Sequence, residues 1–122
     1  MSDKGREFEI LVEKLEKLLS GSDVEIIHDA YLTDIRTGDK RQIDVLVRGK
    51  VGSHELLVIL ECRNRSAKDD VTWIEQLAKK RDGVRADKAV AVSASGFTKN
   101  AIRVAEYEGI ALRTIEELSI GD

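Results

Sequence analysis

Residues 41–63 read RQIDVLVRGKVGSHELLVILECR, two apolar runs separated by the short polar pair Gly52–Ser53. β-Branched residues and leucine dominate both runs, and such runs flanking a turn predict a β-hairpin. If the chain turns at Gly52–Ser53, Val45 stands opposite Leu60. A slip of one residue would move the apolar set to the wrong side, so the pattern also fixes the register of the pair.

The same register places Asp44 opposite Glu61. Strict alternation then predicts one wholly apolar face, made by Ile43, Val45 and Val47 on one strand and Val58, Leu60 and Cys62 on the other. Opposed residues have Cβ atoms about 5 Å apart, and two carboxylates that close repel each other unless a cation neutralises them. Mg²⁺ prefers carboxylate oxygens. The alternative is that both acids are solvated strand ends, with Glu61 in a surface ion pair with Arg63.

The segments around this hairpin predict further helices and strands. Apolar residues at helical spacing indicate a helix over about 4–19, and β-branched residues indicate a strand over 24–33. A second helix follows Asp69 or Asp70 and runs to about Val84, and 88–94 is a nearly all-apolar strand. A third helix starts after Thr98 and ends at Gly109, before a strand over 110–114. The order α-β-β-β-α-β-α-β predicts an α/β fold with a mixed sheet between helices.

Composition narrows the function classes. The chain has 122 residues, which suits a single domain spanning 1–122. One cysteine and two histidines cannot supply the four ligands of a zinc site built from nitrogen and sulfur donors. A lone cysteine forms no intrachain disulfide, and we expect a cytoplasmic protein. No run of about 18 apolar residues is present, and the charged N-terminus lacks a secretory signal's apolar segment.

Charge is distributed unevenly along the chain. The net charge of −3 argues by itself against binding to nucleic acid, but residues 62–103 carry ten basic and five acidic side chains. This basic excess begins directly after Glu61. A one-sided positive surface of this kind predicts a salt-sensitive contact with a phosphate backbone. The residues that we predict to contact DNA are Arg65, Lys68, Lys79, Lys80 and Lys99.

Nearly the whole chain resembles the PD-(D/E)xK, or restriction-endonuclease-like, nuclease superfamily, and in particular the Mrr-like restriction endonuclease catalytic domain. The stretches that carry the resemblance occur in the family's order: GREFEILVEKLEKLL, RQIDVLV, LLVILECRNR, VTWIEQLAKKRDGVRADKAVAV and SGFTKNAIRVAEYEGI. The resemblance implies the family's α-β-β-β-α-β core, here with a C-terminal α-β extension. It also implies Mg²⁺, with Mn²⁺ as a substitute, and cleavage of DNA by a homodimer.

Residue roles follow from matching positions in the family. The resemblance implies that Glu9, Asp44 and Glu61 bind the metal, that Gln76 assists near the scissile phosphate, and that position 63 assists the attacking water. This chain has Arg63 where the family has lysine. Arginine cannot give up a proton in a protein, so Arg63 is expected to hold a phosphate or orient water. The proton then goes to solvent or to a phosphate oxygen.

The sequence therefore predicts a Mg²⁺-dependent DNA endonuclease. Three alternatives stay open at this point. A junction-resolving or repair nuclease would have the same site. A degenerate module that has lost the family lysine would bind DNA or assemble without cutting. A scaffold without any role in nucleic-acid binding would show no salt-dependent affinity for DNA.

Overall fold

The computed structural model describes residues 3–18 and 23–115. Its elements are α1 (Asp3–Leu18), β1 (Val24–Thr33), β2 (Lys40–Val51), β3 (His54–Arg63), α2 (Val71–Gly83), β4 (Lys88–Ser93), α3 (Lys99–Glu108) and β5 (Ala111–Thr114). The predicted order of helices and strands is confirmed. The predicted end of the first helix, Leu19, lies outside the described residues.

The five strands form one mixed sheet in the order β1-β2-β3-β4-β5. β1, β2 and β3 pair antiparallel, whereas β4 and β5 add parallel to β3 and to each other. The hairpin register is the predicted one, with Val45 opposite Leu60. The antiparallel meander therefore brings the ends of β2 and β3 together at the centre of the sheet.

Local signals explain where the second and third helices begin and end. The Asp70 side chain accepts a hydrogen bond from the Thr72 amide and caps α2, whereas Thr98 accepts from the Ala101 amide and caps α3. Gly109 ends α3 in the left-handed conformation that glycine adopts without a steric penalty. None of the described helices has the length and apolar character needed to cross a membrane.

The sheet carries an apolar core on each side. The α1-side core consists of Leu11, Val45, Leu60, Cys62 and Val92. The α2/α3-side core is larger and consists of Ala30, Ile43, Leu46, Ile59, Trp73, Ile74, Leu77, Ala78, Val84, Ala89, Ala91, Ala101, Ala105 and Ile110. β2 and β3 contribute to both cores, so their side chains are covered on both faces and their positions are fixed by packing.

β1 and β2 shift their side-chain alternation at one point. Their pairing runs to His28–Val45 and resumes at Ala30–Ile43. Between these pairs, Asp29 has a φ of 57°, a left-handed conformation that aspartate tolerates better than most residues. Beyond this point Ile43 packs in the α2/α3-side core, so the prediction that it shares the face of Val45 is wrong. Strict alternation fails because the ladder is interrupted at this position.

Candidate active site

Asp44 and Glu61 lie side by side where the β2–β3 ladder ends. The last ladder pair is Val45–Leu60, and beyond it each carboxylate accepts a backbone N–H from the opposite strand. The Asp44 amide donates to Glu61 Oε2 at 2.9 Å, and the Cys62 amide donates to Asp44 Oδ2 at 2.9 Å. These two bonds replace ladder bonds, so the backbone itself holds both carboxylates in place. The prediction that the two acids lie next to each other is confirmed.

Lys80 of α2 neutralises part of the charge of this acid pair. Its Nζ lies 2.7 Å from Glu61 Oε1, and the two side chains are only 13% and 12% exposed. Burial raises the pKa of Glu61, and the neighbouring charge of Asp44 raises it further, whereas the hydrogen bond from Lys80 opposes both effects. Two carboxylates thus share one local ammonium group, which leaves an excess of negative charge at this point of the sheet.

The acid pair fits a hard divalent cation. Its donors are all carboxylate oxygens, and Mg²⁺ in proteins is commonly held by one or two carboxylates together with waters and substrate phosphates. A cation between Asp44 and Glu61 would also relieve the repulsion that raises the pKa of Glu61. In residues 3–18 and 23–115, no three His, Cys, Asp or Glu side chains gather into a larger ligand group. The fit therefore rests on two carboxylates.

Arg63 ends β3 two residues beyond Glu61, and its head group contacts Asp69 and Trp73. Its Nη1 lies 3.4 Å from Oδ1 of Asp69, and its guanidinium stacks over the Trp73 ring at 5.0 Å from the ring centre. Asp69 is fully buried and also accepts a hydrogen bond from Ser93 Oγ at 2.6 Å. A buried anchor and an aromatic plane thus fix the direction of Arg63, while 31% of its side chain stays exposed.

A pocket of about 160 Å³ opens beside Glu61. Arg41, Glu61, Arg63, Trp73, Gln76, Leu77 and Lys80 line it. The four α2 residues in this set occur at i, i+3, i+4 and i+7, which is one face of a helix. That face brings the exposed amide of Gln76 and the ammonium of Lys80 to the same opening. The pocket combines one carboxylate, three cations and an amide.

Comparison with known proteins places the chain in a family. The restriction endonuclease family Mrr_cat matches residues 2–119. The chain belongs to this family. No curated protein matches the chain.

Solved structures share the fold of this family member. AF1548, a protein of unknown function, aligns over 94% of the chain and 66% of its own length at 17% identity, with a TM-score of 0.75. The EndoMS–dsDNA2 complex aligns over 90% of the chain and 43% of its own at 21% identity, with a TM-score of 0.59. The DNA modification-dependent restriction endonuclease AspBHI aligns over 97% of the chain and 31% of its own length at 17% identity, with a TM-score of 0.61. The chain thus spans under two-thirds of each of these structures.

Glu9, the third metal ligand that the family resemblance implies, is not brought to the acid pair. It is exposed on α1 and lines a separate pocket of about 300 Å³ with Val12, Glu13, Glu16 and His28. The structure therefore places Glu9 among other acids of the first helix. Its role as a metal ligand stays a prediction without support from the geometry.

The residues predicted to contact DNA fall into two groups. Arg65, Lys68, Lys79 and Lys99 are exposed, and Arg65 lies 3.8 Å from Asp69, next to Arg63. Lys80 differs from them because it is mostly buried and bound to Glu61. The structure therefore places Lys80 within the candidate active site and the other four cations on the surface.

Sequence reasoning missed three contributions to the site. The α2 spacing of Trp73, Gln76 and Lys80 was a signal that could have placed Lys80 beside the acids. Arg41 gave no such signal, because the alternation of β2 shifts between it and Val45. Gln42 was also missed, and its amide donates to Asp44 Oδ1 at 3.3 Å.

Proposed function

We propose that this chain is the catalytic domain of a Mg²⁺-dependent DNA endonuclease, with Mn²⁺ as a substitute ion. The observation that carries the proposal is the backbone-anchored pair Asp44–Glu61, which stands beside a pocket lined with cations. Acids that are buried, like-charged and only partly neutralised are typical of sites that bind a cation or act in catalysis. Membership of a restriction endonuclease family supports the same reaction class.

Asp44 and Glu61 would hold the metal ion. When bound, Mg²⁺ supplies positive charge that lowers the pKa of water and stabilises the charge that develops on the phosphate oxygens. Lys80 donates to Glu61 Oε1, and the Asp44 amide donates to Oε2. These two hydrogen bonds restrict the rotation of the carboxylate. The acid pair is therefore preorganised before the substrate arrives.

Arg63 and Gln76 would act on the DNA. The Arg63 guanidinium is held by Asp69 and Trp73 and retains an exposed edge, so it can donate hydrogen bonds to a phosphate oxygen. The Gln76 amide lines the same pocket and can orient the phosphate or the attacking water. Arg63 does not accept the proton of that water, because a guanidinium stays charged. Solvent or a phosphate oxygen accepts the proton.

DNA is the proposed partner. One structure with the same fold is a complex of EndoMS with double-stranded DNA, and the basic excess of residues 62–103 suits a phosphate backbone. We extend the proposal to a homodimer, in which each copy would cut one strand of the duplex. The exposed cations Arg65, Lys68, Lys79 and Lys99 would bind the backbone outside the pocket.

Cleavage of plasmid DNA tests this proposal. Wild-type protein should convert supercoiled plasmid to nicked and linear forms when Mg²⁺ or Mn²⁺ is added, and Asp44→Ala and Glu61→Ala should reduce the rate to background. Glu55→Ala is a matched control, because Glu55 is an exposed acid on the same strand as Glu61. Equal cleavage rates in all four proteins would refute the proposed nuclease activity.

Two outcomes of the same assay point to the competing functions. DNA that shifts on a gel without being cut would favour a module that only binds. Branched DNA that is cut much faster than linear plasmid would favour a junction-resolving or repair nuclease.

A further inference from the structure

Arg41 is a third cation of the pocket beside Glu61, and the shift of alternation in β2 brings it there. Ile43 packs in the α2/α3-side core, and a residue two positions away on a strand shares its face. Arg41 consequently faces α2 and lines the pocket with Arg63 and Lys80. Without the shift, Arg41 would share the face of Val45, on the side of α1.

A buried carboxylate fixes the direction of Arg41. Its Nη1 donates to Asp34 Oδ2 at 3.0 Å, and Asp34 is only 1% exposed. Arg36 binds the same carboxylate through its backbone amide, its Nε and its Nη2. The hydrogen bonds from Arg36 hold the pKa of Asp34 well below its usual range, so this anchor is an anion at every ordinary pH.

The turn that carries Asp34 is also attached to α2. The Ile35 amide donates to the Gly83 carbonyl at 2.9 Å, and a Cβ on Gly83 would lie 2.6 Å from Asp34 Oδ2. Asp34 is therefore wedged against the end of the helix that carries Lys80. Both arginines of the pocket are held by a buried aspartate, Arg41 by Asp34 and Arg63 by Asp69.

We propose that Arg41 binds a phosphate group of the DNA backbone next to the acid pair, and that Asp34 is its positioning residue. This inference rests on the proposed function. Arg41 and Arg63 line the pocket and stay 36% and 31% exposed, so both can donate hydrogen bonds to an anion there. A guanidinium has five N–H donors, and Arg41 uses Nη1 to bind Asp34. Its other N–H groups can still bind a phosphate. The volume of about 160 Å³ corresponds to about five waters at about 30 Å³ each, which leaves room for a phosphate group.

The salt dependence of DNA binding tests the role of Arg41. Binding of a short labelled duplex is followed by fluorescence anisotropy over a range of salt, without divalent cation so that nothing is cut. Arg41→Gln should weaken binding about tenfold and reduce the slope of log affinity against log salt by about one unit. Arg48→Gln is the matched control, because Arg48 lies on the same strand, is 36% exposed like Arg41 and does not line the pocket. It should leave the slope unchanged.

A double-mutant cycle tests Asp34 as a positioning residue. Asp34→Asn should weaken binding, and adding Arg41→Gln to it should cause little further loss, because the two residues act as one unit. Thermal unfolding of every variant confirms that it is folded. Equal slopes for wild type and Arg41→Gln, or fully additive losses in the cycle, would overturn this inference while the proposed function stands. Wild-type protein that shows no salt-dependent affinity for DNA would overturn both.

Discussion

Replacement of Lys80 by methionine removes the ammonium that binds Glu61 and keeps most of the apolar stem. The hydrogen bond is charge-assisted and 2.7 Å long, and such bonds contribute about 1.5–3 kcal/mol each. Both side chains keep 12–13% exposure, so the effect should fall below the 3–5 kcal/mol typical of breaking a fully buried ion pair. We expect Lys80→Met to lower the free energy of unfolding by about 2 kcal/mol near neutral pH.

The effect of Lys80→Met should depend on pH with a defined sign. The pKa of Glu61 is already raised by burial and by Asp44, and loss of Lys80 raises it further. An acid with a raised pKa in the folded protein takes up a proton on folding, so its charged form disfavours the fold as pH rises through that pKa. The loss of stability should thus be largest above the Glu61 pKa and should vanish when acid protonates the carboxyl.

Urea unfolding followed by tryptophan fluorescence measures this difference. The chain has a single tryptophan, Trp73, which is buried at the edge of the same pocket. Lys79→Met is the matched control, because Lys79 precedes Lys80 on α2 and is exposed. It should change the free energy of unfolding by less than about 0.5 kcal/mol. Equal losses in the two variants, or a Lys80→Met loss that persists unchanged in acid, would refute the reasoning about the acid pair.

Two further substitutions probe the anchors of the site. Ser93→Ala removes the hydroxyl that donates to Asp69 at 2.6 Å and should lower the free energy of unfolding by about 1–3 kcal/mol, whereas Ser66→Ala at an exposed position should leave it unchanged. Gly83→Ala places a methyl group 2.6 Å from the carboxylate of Asp34 and should destabilise the protein by about 1–3 kcal/mol. Glycine-to-alanine changes within helices are normally stabilising, so a Gly83→Ala protein as stable as wild type would contradict the close contact.

The hairpin shows how far the sequence could predict the site. The opposition of Val45 and Leu60 followed from a short turn and two apolar runs, because a residue slip would bury the wrong face. The same register placed Asp44 opposite Glu61, and this prediction needed no further information. These are local rules, and they hold because both strands are covered by cores on both faces.

The parts that were missed depend on tertiary structure. The β1–β2 ladder omits the pair Asp29–Asp44 and side chains change faces there, so Ile43 was assigned to the wrong face and Arg41 was overlooked. Lys80 resembled the other lysines of the basic segment until α2 was docked on the sheet beside Glu61. Glu9 was carried over from a family pattern, and its place depends on how α1 packs, which its charged sequence does not determine.

Metal-dependent stabilisation tests most directly whether the acid pair holds a divalent cation, because it requires no knowledge of the DNA target. Urea unfolding of wild type, Asp44→Asn and Glu55→Gln is followed by Trp73 fluorescence with and without Mg²⁺. At about 100 times its dissociation constant, Mg²⁺ should raise the free energy of unfolding of wild type and Glu55→Gln by about 2.7 kcal/mol. Asp44→Asn should gain little. No gain in wild type, or an equal gain in Asp44→Asn, would contradict the assignment of Asp44 and Glu61 as the metal site.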